Sequence, residues 1–402
     1  MSSLTVDSRT ERPPWILPVI IISQFAGTSL WFAGNAVLSD FQHDWGISSD
    51  ALASITSAVQ LGFILGTFIF GFFTFADRFS PRIIFLFSSV AGGICNFSVY
   101  LFAHDLTGLL ILRFMTGVCL AGIYPVGMKI ASGWYREGLG NALGFLVGAL
   151  VLGTSFPHLL KAFGATIHWE TVMFAISVIS ASGGILMWRF VPDGPHLTKG
   201  THFNPNALKI IFTSKEIRPA ALSYFGHMWE LYTFYAFAPL LLSTYAAVHQ
   251  LELNISFWSF VIIGAGSAGC AIGGMVSDRI GSGRIAWIYL CASGICCLIS
   301  PLMFQMPEEV FILFLTFWGL TVVGDSPQFS TLIARAAPKE LLGSLLTISV
   351  CIGFALTIAS IELTSYLLRS IRTENIFLTI AAGPVLGLFF LFPLIRNKHK
   401  RT

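Results

Sequence analysis

His227 and Glu230 lie three positions apart in a segment that is otherwise apolar and aromatic. Side chains at this spacing share one face of a helix. Ionisable groups are costly to keep away from water, so those found in long apolar segments usually serve a function. Burial favours the neutral form of a carboxyl, which makes Glu230 a candidate for taking up and releasing a proton. The alternative is a structural role, in which an arginine or tyrosine hydroxyls hold the carboxylate.

Asp325 and Arg113 are two further charges inside apolar segments. Asp325 belongs to the sequence Gly324-Asp-Ser-Pro327. Proline leaves a backbone carbonyl unpaired and the glycine permits a local break in a helix. A charged residue at such a break more often lines a cavity than faces lipid. Arg113, if it faces that cavity, would bind an anionic solute or respond to protonation of Glu230.

Several uncharged side chains complete the candidate cavity. Gln24 and Asn35 place polar groups along one route towards the centre, and Trp31 between them offers a surface on which a solute can stack. Tyr232 is one of the aromatic residues that surround Glu230. Lys129 lies at the end of its apolar segment, where it either contributes to the cavity or extends its charge to the membrane surface.

The amino-acid composition indicates that membrane-spanning helices position these residues. Hydrophobic residues make up 55% of the 402 residues and charged residues 11%, whereas a soluble chain carries roughly a quarter charged residues. A membrane span needs about 20 mostly apolar residues. The sequence therefore predicts an all-α integral membrane protein with twelve spans, at 15–38, 51–75, 83–103, 107–129, 140–161, 169–190, 217–246, 254–277, 285–304, 310–334, 341–368 and 375–395.

The segment 191–216 is rich in proline and lysine and is the predicted linker between two six-helix bundles, at 1–190 and 217–402. Placing both termini in the cytoplasm puts most of the 23 basic residues on that side, as the positive-inside rule requires. The multi-pass chain is thus predicted in a plasma membrane, a bacterial inner membrane, with both termini cytoplasmic. The basic residues assigned to the cytoplasm are Arg9, Arg12, Arg78, Arg82, Arg136, Arg189, Lys199, Lys209, Lys215, Arg218, Arg279, Arg284, Arg335, Lys339, Arg396, Lys398, Lys400 and Arg401.

The two halves repeat each other at nearly constant offset. Ser23-Gln-Phe matches Ser223-Tyr-Phe, Asp77-Arg matches Asp278-Arg, and Gly122-Ile-Tyr-Pro matches Gly324-Asp-Ser-Pro. Two parallel six-helix repeats are a known transporter architecture, with the solute path between the halves.

One of these repeated segments carries a family resemblance. Gly274-Met-Val-Ser-Asp278-Arg279-Ile-Gly281-Ser-Gly-Arg284 resembles the G-x-x-x-D-R-x-G-x-x-R loop of the major facilitator superfamily. The resemblance covers essentially the whole chain and implies the major facilitator fold. It also implies that the aspartate pairs with arginines at a helix end and holds the two bundles together on the cytoplasmic side. Such pairs can separate when the bundles rock.

The first-half copy of this loop departs from the pattern. It keeps Asp77, Arg78 and Arg82, but Phe73 and Ser80 replace the two glycines. The resemblance assigns both copies to cytoplasmic gating loops, whereas the alternative is that the two aspartates only cap turns between spans.

A second segment, Arg113-Phe-Met-Thr-Gly117-Val-Cys-Leu-Ala121-Gly, resembles the R-x-x-x-G-x-x-x-A-G segment of the same family. In many proton-coupled members this arginine faces the central cavity and takes part in coupling. The glycines of the fifth span, at 140, 144, 148 and 153, are only partly similar to an antiporter-type span, and small residues at this spacing also serve simply to pack helices.

These features predict secondary active transport of a small solute by alternating access, coupled to protons, in a monomer. Neither a metal nor a cofactor is expected, and the partners are a small-molecule substrate, protons and the lipid bilayer, with no nucleic acid. The alternatives are a uniporter or substrate exchanger, and a non-transporting membrane sensor on the same scaffold. The sequence contains no metal-protease, nucleophile-elbow or phosphate-loop motif, so an enzyme is not predicted.

Overall fold

A computed structural model describes residues 13–48, 51–163, 167–197, 202–338 and 340–396. All regular secondary structure within these ranges is helical. Some of the basic residues that were assigned to the cytoplasm lie outside the described ranges. They are Arg9, Arg12, Lys199, Lys339, Lys398, Lys400 and Arg401.

The helices of the first half precede a short linker helix. They are α1 (Ile16–Thr28), α2 (Ala33–Ala36), α3 (Leu38–Trp45), α4 (Ala51–Phe72), α5 (Phe75–Arg78), α6 (Pro81–Phe102), α7 (Leu106–Leu120), α8 (Tyr124–Trp134), α9 (Leu139–Ala162) and α10 (Trp169–Phe190), and the linker helix is α11 (Ala207–Thr213).

The second half begins with the longest helix of the described chain. Its helices are α12 (Ile217–His249), α13 (Ile255–Ile280), α14 (Ser282–Met303), α15 (Glu308–Gly324), α16 (Ser326–Ala336), α17 (Leu342–Leu367), a 3₁₀ helix (Thr373–Ala381) and α18 (Ala382–Arg396).

Eleven helical segments of the described chain are long and apolar enough to cross a membrane. The predicted first span, 15–38, is instead broken after α1, which leaves only the short apolar helix Ile16–Thr28. The Thr28 and Ser29 hydroxyls donate to the Gln24 and Ala26 carbonyls, at 2.7 Å each. Such side-chain bonds compete with the helical ladder, so the predicted first span contains a break that the sequence did not predict.

Two other spans contain a break at matching positions of the repeat. α15 ends at Gly324 and α16 starts at Ser326, which confirms the break predicted around Asp325. In the first half, α7 ends at Leu120 and α8 starts at Tyr124. In both halves a proline occupies the first turn of the second helix, where its missing N–H costs nothing.

Helices α9 and α13 pack antiparallel along their lengths. A Cβ added at Gly144 would lie 2.9 Å from the Cys270 carbonyl oxygen, and one added at Gly148 would lie 2.9 Å from the Ser267 carbonyl oxygen. The glycines of the fifth span therefore bring two backbones together, which is the packing role expected of small residues in membranes.

A second junction joins the halves where α4 lies along α17. The Ser57 hydroxyl donates to Glu362 at 2.7 Å, and the Thr357 hydroxyl donates to Gln60 further along. Near the other end of α4, a Cβ added at Gly71 would contact Thr347. We call the two junctions, α9 with α13 and α4 with α17, the seam. The seam is closed at both ends of the helices.

Candidate functional site

Glu230 is fully buried within the second half, on α12. Three donors reach its carboxylate: the Trp318 indole N–H at 2.8 Å, the Ser293 hydroxyl at 2.9 Å and the Cys297 thiol at 3.3 Å. These donors belong to α14 and α15, so the carboxylate points into the second half. It does not lie at the seam between the halves, where the sequence placed the functional charges.

The hydrogen bonds around Glu230 suit a group that exists in two protonation states. The Ser293 hydroxyl also lies 3.3 Å from the Leu290 carbonyl oxygen. A hydroxyl can donate or accept, so Ser293 can donate to the ionised carboxylate or turn to Leu290 and accept from the protonated carboxyl. Rotation of the Ser293 hydroxyl therefore lets the same site hold Glu230 with or without its proton.

His227 and Asp325 form a buried pair one helical turn away. His227 Nδ1 lies 2.9 Å from Asp325 Oδ1, and both side chains are buried. This distance is that of an ion pair when His227 is protonated. The pair links α12 to the break between α15 and α16. Together with the bond from Trp318 to Glu230, it ties α12 to the tenth span at two points.

Arg113 is fully buried in the first half. Its guanidinium donates to Asn96 Oδ1 at 2.9 Å and to the carbonyl oxygens of Leu30 and Trp31 at 2.7 and 2.8 Å. Those carbonyls lie in the break after α1, where the helical ladder stops. Arg113 therefore supports the broken helix, and its Nε remains without a partner.

Aromatic rings from both halves meet at the centre of the seam. The Trp31 ring stacks on Tyr232 and on Phe354, with centroids 5.7 and 5.5 Å away. Phe63 contacts both Trp31 and Phe354, at 4.9 and 4.5 Å. We call Trp31, Phe63, Tyr232 and Phe354 the seam cluster.

Polar side chains beside the seam cluster are buried with unpaired atoms. Asn35 donates to the Thr56 hydroxyl at 2.7 Å, but its oxygen has no partner. Both amide atoms of Gln24, the Trp31 indole nitrogen and Gln60 Nε2 are also buried and unpaired. Unpaired buried polar atoms are unusual in folded proteins and mark candidate ligand contacts.

The first of the predicted gating loops contacts a lysine of its own half. Asp77 pairs with Lys129 of the same half, and Lys129 also donates to the Ala76 carbonyl at 2.6 Å. Both side chains of this pair are partly exposed. Asp278 lies beside the first turn of α9, where a Cβ added at Gly140 would be 3.7 Å from its Oδ1. A carboxylate near a helix N-terminus is favoured by the helix dipole.

The remaining loop residues are mostly at the surface. Arg78, Arg279 and Arg284 are exposed, and Gly274 is buried against α9. Arg82 is partly buried and donates to the Trp188 carbonyl at 3.4 Å.

The sequence singled out the buried charges but missed their partners. Ser293 and Cys297 are four residues apart, which places them on one face of α14. That pattern is visible in the sequence but says nothing about which helix it meets. Asn96, a lone amide in an apolar span, was the one available signal for the partner of Arg113.

Comparison with known proteins agrees with this architecture. The family model of the Major Facilitator Superfamily matches residues 19–361. The 4-hydroxybenzoate transporter PcaK of Acinetobacter baylyi is 22% identical over 84% of this chain and 81% of its own length. The uncharacterized MFS-type transporter YybF of Bacillus subtilis is 22% identical over 64% of each chain, just under two thirds of its length. The structure of the proton:xylose symporter XylE superposes with a TM-score of 0.73 at 13% identity, over 94% of each chain.

Proposed function

The chain belongs to the major facilitator superfamily, and we propose that it carries a small organic solute across the membrane by alternating access, driven by protons. The family consists of transporters rather than enzymes, as the sequence predicted. We further propose that the two bundles at 1–190 and 217–402 rock about the seam. The loops with Asp77 and Asp278 then face the cytoplasm of a plasma-membrane monomer.

The observation that carries the proton coupling is the environment of Glu230. Its carboxylate is fully buried and held by an indole, a hydroxyl and a thiol, none of which is a cation. A structural carboxylate at this depth would be expected to have a cationic partner. A carboxyl without one gains or loses a proton as its surroundings change, which is the property that a coupling site needs.

Helix α12 connects this site to the seam. One side of α12 carries His227 and Glu230, which contact the tenth span. Tyr232 on the same helix stacks on Trp31 of the first half, and Thr233 donates to Ser360 of α17 at 2.8 Å. A change in charge at Glu230 thus shifts a helix that forms part of the contact between the halves.

The names of relatives support an organic solute. PcaK is a 4-hydroxybenzoate transporter, and the 22% identical NiaP of Bacillus subtilis is a putative niacin/nicotinamide transporter. Both names describe small organic molecules, and we extend only this broad class to the present chain.

Proteoliposomes that contain the purified protein and an imposed pH gradient test the proposal. Small organic acids and amides are supplied one at a time, with protein-free liposomes as the control for leakage. We expect at least one solute to accumulate above its external concentration, and we expect a protonophore to abolish that accumulation.

Each alternative gives a different result in this assay. A uniporter or exchanger would move the solute without accumulation by the pH gradient, and a protonophore would have no effect. A sensor would bind the solute and show no flux. Either result would contradict proton-driven transport.

A further inference from the structure

We propose that the seam cluster binds the transported solute, and that this solute is a flat aromatic ring with a negatively charged hydrogen-bond acceptor. This inference rests on the proposed function and adds the substrate class to it. Its evidence is the geometry of the cluster, the unpaired donors beside it and the nearby positive charge.

Trp31 is the stacking residue of the cluster, whereas Phe63 lies tilted against Trp31 and Phe354, at 50° and 51°. The planes of Trp31 and Tyr232 are 26° apart and those of Trp31 and Phe354 are 30° apart. Trp31 comes from the first half, whereas Tyr232 and Phe354 come from the second. When the halves separate at the seam, these stacked faces lose their partners. A planar aromatic solute restores the stacking, which an aliphatic solute of equal size cannot do.

Two donors lie beside these faces without acceptors. The Trp31 indole nitrogen is buried and unpaired on the stacking residue itself. Gln60 Nε2 is also buried and unpaired, on α4 one turn before Phe63. Both are N–H donors, so a ligand that brings an acceptor would pair the two donors nearest the stacking faces.

The negative charge proposed for the solute follows from the position of Arg113. Its guanidinium donates to the Trp31 carbonyl at 2.8 Å and to the Leu30 carbonyl at 2.7 Å, so a positive charge lies against the backbone of the stacking residue. The partners of this guanidinium among the described residues are neutral: Asn96 and two carbonyls. An uncompensated cation in a medium of low dielectric favours a negative charge nearby.

Binding to the purified full-length protein tests this assignment with three probes. They are benzoate, benzamide and cyclohexanecarboxylate, which separate the planar ring from the charge. A thermal-shift titration measures binding without requiring flux, because a ligand of the folded state raises its stability. We expect benzoate to bind most tightly, benzamide more weakly, and cyclohexanecarboxylate about tenfold or more weakly than benzoate.

Variants locate the site. Phe354→Leu removes one stacking ring, and we expect benzoate to bind about 3- to 10-fold more weakly. Trp31→Phe keeps a ring but removes the indole N–H, and we expect a loss of similar size, about 2- to 10-fold. The matched control is Phe311→Leu, because Phe311 is buried and stacks on Tyr245 at 3.9 Å in a different aromatic group. Unfolding of each variant without ligand shows whether it is folded.

The outcomes separate this inference from the proposed function. Equal binding of cyclohexanecarboxylate and benzoate, no binding of either aromatic probe, or an equal effect of Phe311→Leu would overturn the substrate class. Tighter binding of benzamide than of benzoate would overturn the charge assignment. Ring-selective binding together with flux that a protonophore does not change would leave this inference standing and contradict the proton coupling of the proposed function.

Discussion

Arg113 shows how a buried charge can support both structure and function. Its guanidinium bonds to carbonyls that the break after α1 leaves unpaired, and that break positions Trp31 at the seam. The planar fork of arginine suits this task, because several donors point in fixed directions.

Arg113→Gln is predicted to destabilise the protein and to weaken transport. A buried carbonyl that loses its partner costs about 1–3 kcal/mol, so the loss of two such bonds should lower the free energy of unfolding by about 2 kcal/mol or more. Thermal unfolding of the detergent-purified protein measures this change. The control is Arg335→Gln, since Arg335 is exposed, and equal unfolding temperatures for the two variants would argue against a supporting role for Arg113.

At the residue scale, the sequence predicted which groups are buried but not what they contact. Glu230 and Asp325 stand out because charges are rare in apolar segments. Their partners lie 63 to 98 positions away, as with Ser293 and Trp318 for Glu230 and His227 for Asp325. Such contacts depend on the rotation and tilt of each helix, which hydropathy does not define.

At the element scale, helix breaks and glycine spacing position the site. The break at Asp325 was predictable because Pro327 and Gly324 flank it. The break after α1 was not predictable. No proline stands near Gly27, Thr28 and Ser29, and these residues lie in an apolar segment. The Thr28 and Ser29 hydroxyls bond to backbone carbonyls before the break, and Arg113, which is distant in the sequence, binds the Leu30 carbonyl within it.

Gly148→Ala is predicted to force α9 and α13 apart. The new Cβ would lie 2.9 Å from the Ser267 carbonyl oxygen, and overpacking of this kind costs about 1–3 kcal/mol. We expect a lower unfolding temperature and weaker transport. The matched control is Gly343→Ala, where a Cβ meets nothing within 4 Å, so this variant should be unaffected or slightly more stable. Equal stability of the two variants would show that the α9–α13 junction tolerates a larger separation.

At the scale of the whole molecule, the seam is closed at both ends. Ser57 bonds to Glu362 at one end, and Asp278 lies beside the start of α9 at the other. Eleven of the twelve predicted spans are long apolar helices of the described chain, and hydropathy made them predictable. This closed arrangement was not, because hydropathy does not define how two helix bundles pack against each other.

Alternating access requires each end of the seam to open in turn. A disulfide between cysteines introduced by Ser57→Cys and Glu362→Cys should therefore stop solute flux, and a reducing agent should restore it. The control cross-link joins Ser80→Cys and Asp193→Cys, because the Ser80 hydroxyl bonds to Asp193 at 2.8 Å, between the first half and the start of the linker. Continued flux through the oxidised Ser57–Glu362 pair would contradict alternating access.

The central claim is that Glu230 carries the coupled proton, and the most direct test is the movement of protons that accompanies the solute. Liposomes containing wild-type, Glu230→Gln or Glu309→Gln protein enclose a pH indicator and receive a solute gradient with no imposed pH gradient. Glu309 is the control because it is exposed on the same helix as Trp318. We predict that wild-type and Glu309→Gln protein move protons with the solute, whereas Glu230→Gln exchanges solute and moves no protons. Equal proton movement by Glu230→Gln and wild-type protein would contradict the assignment.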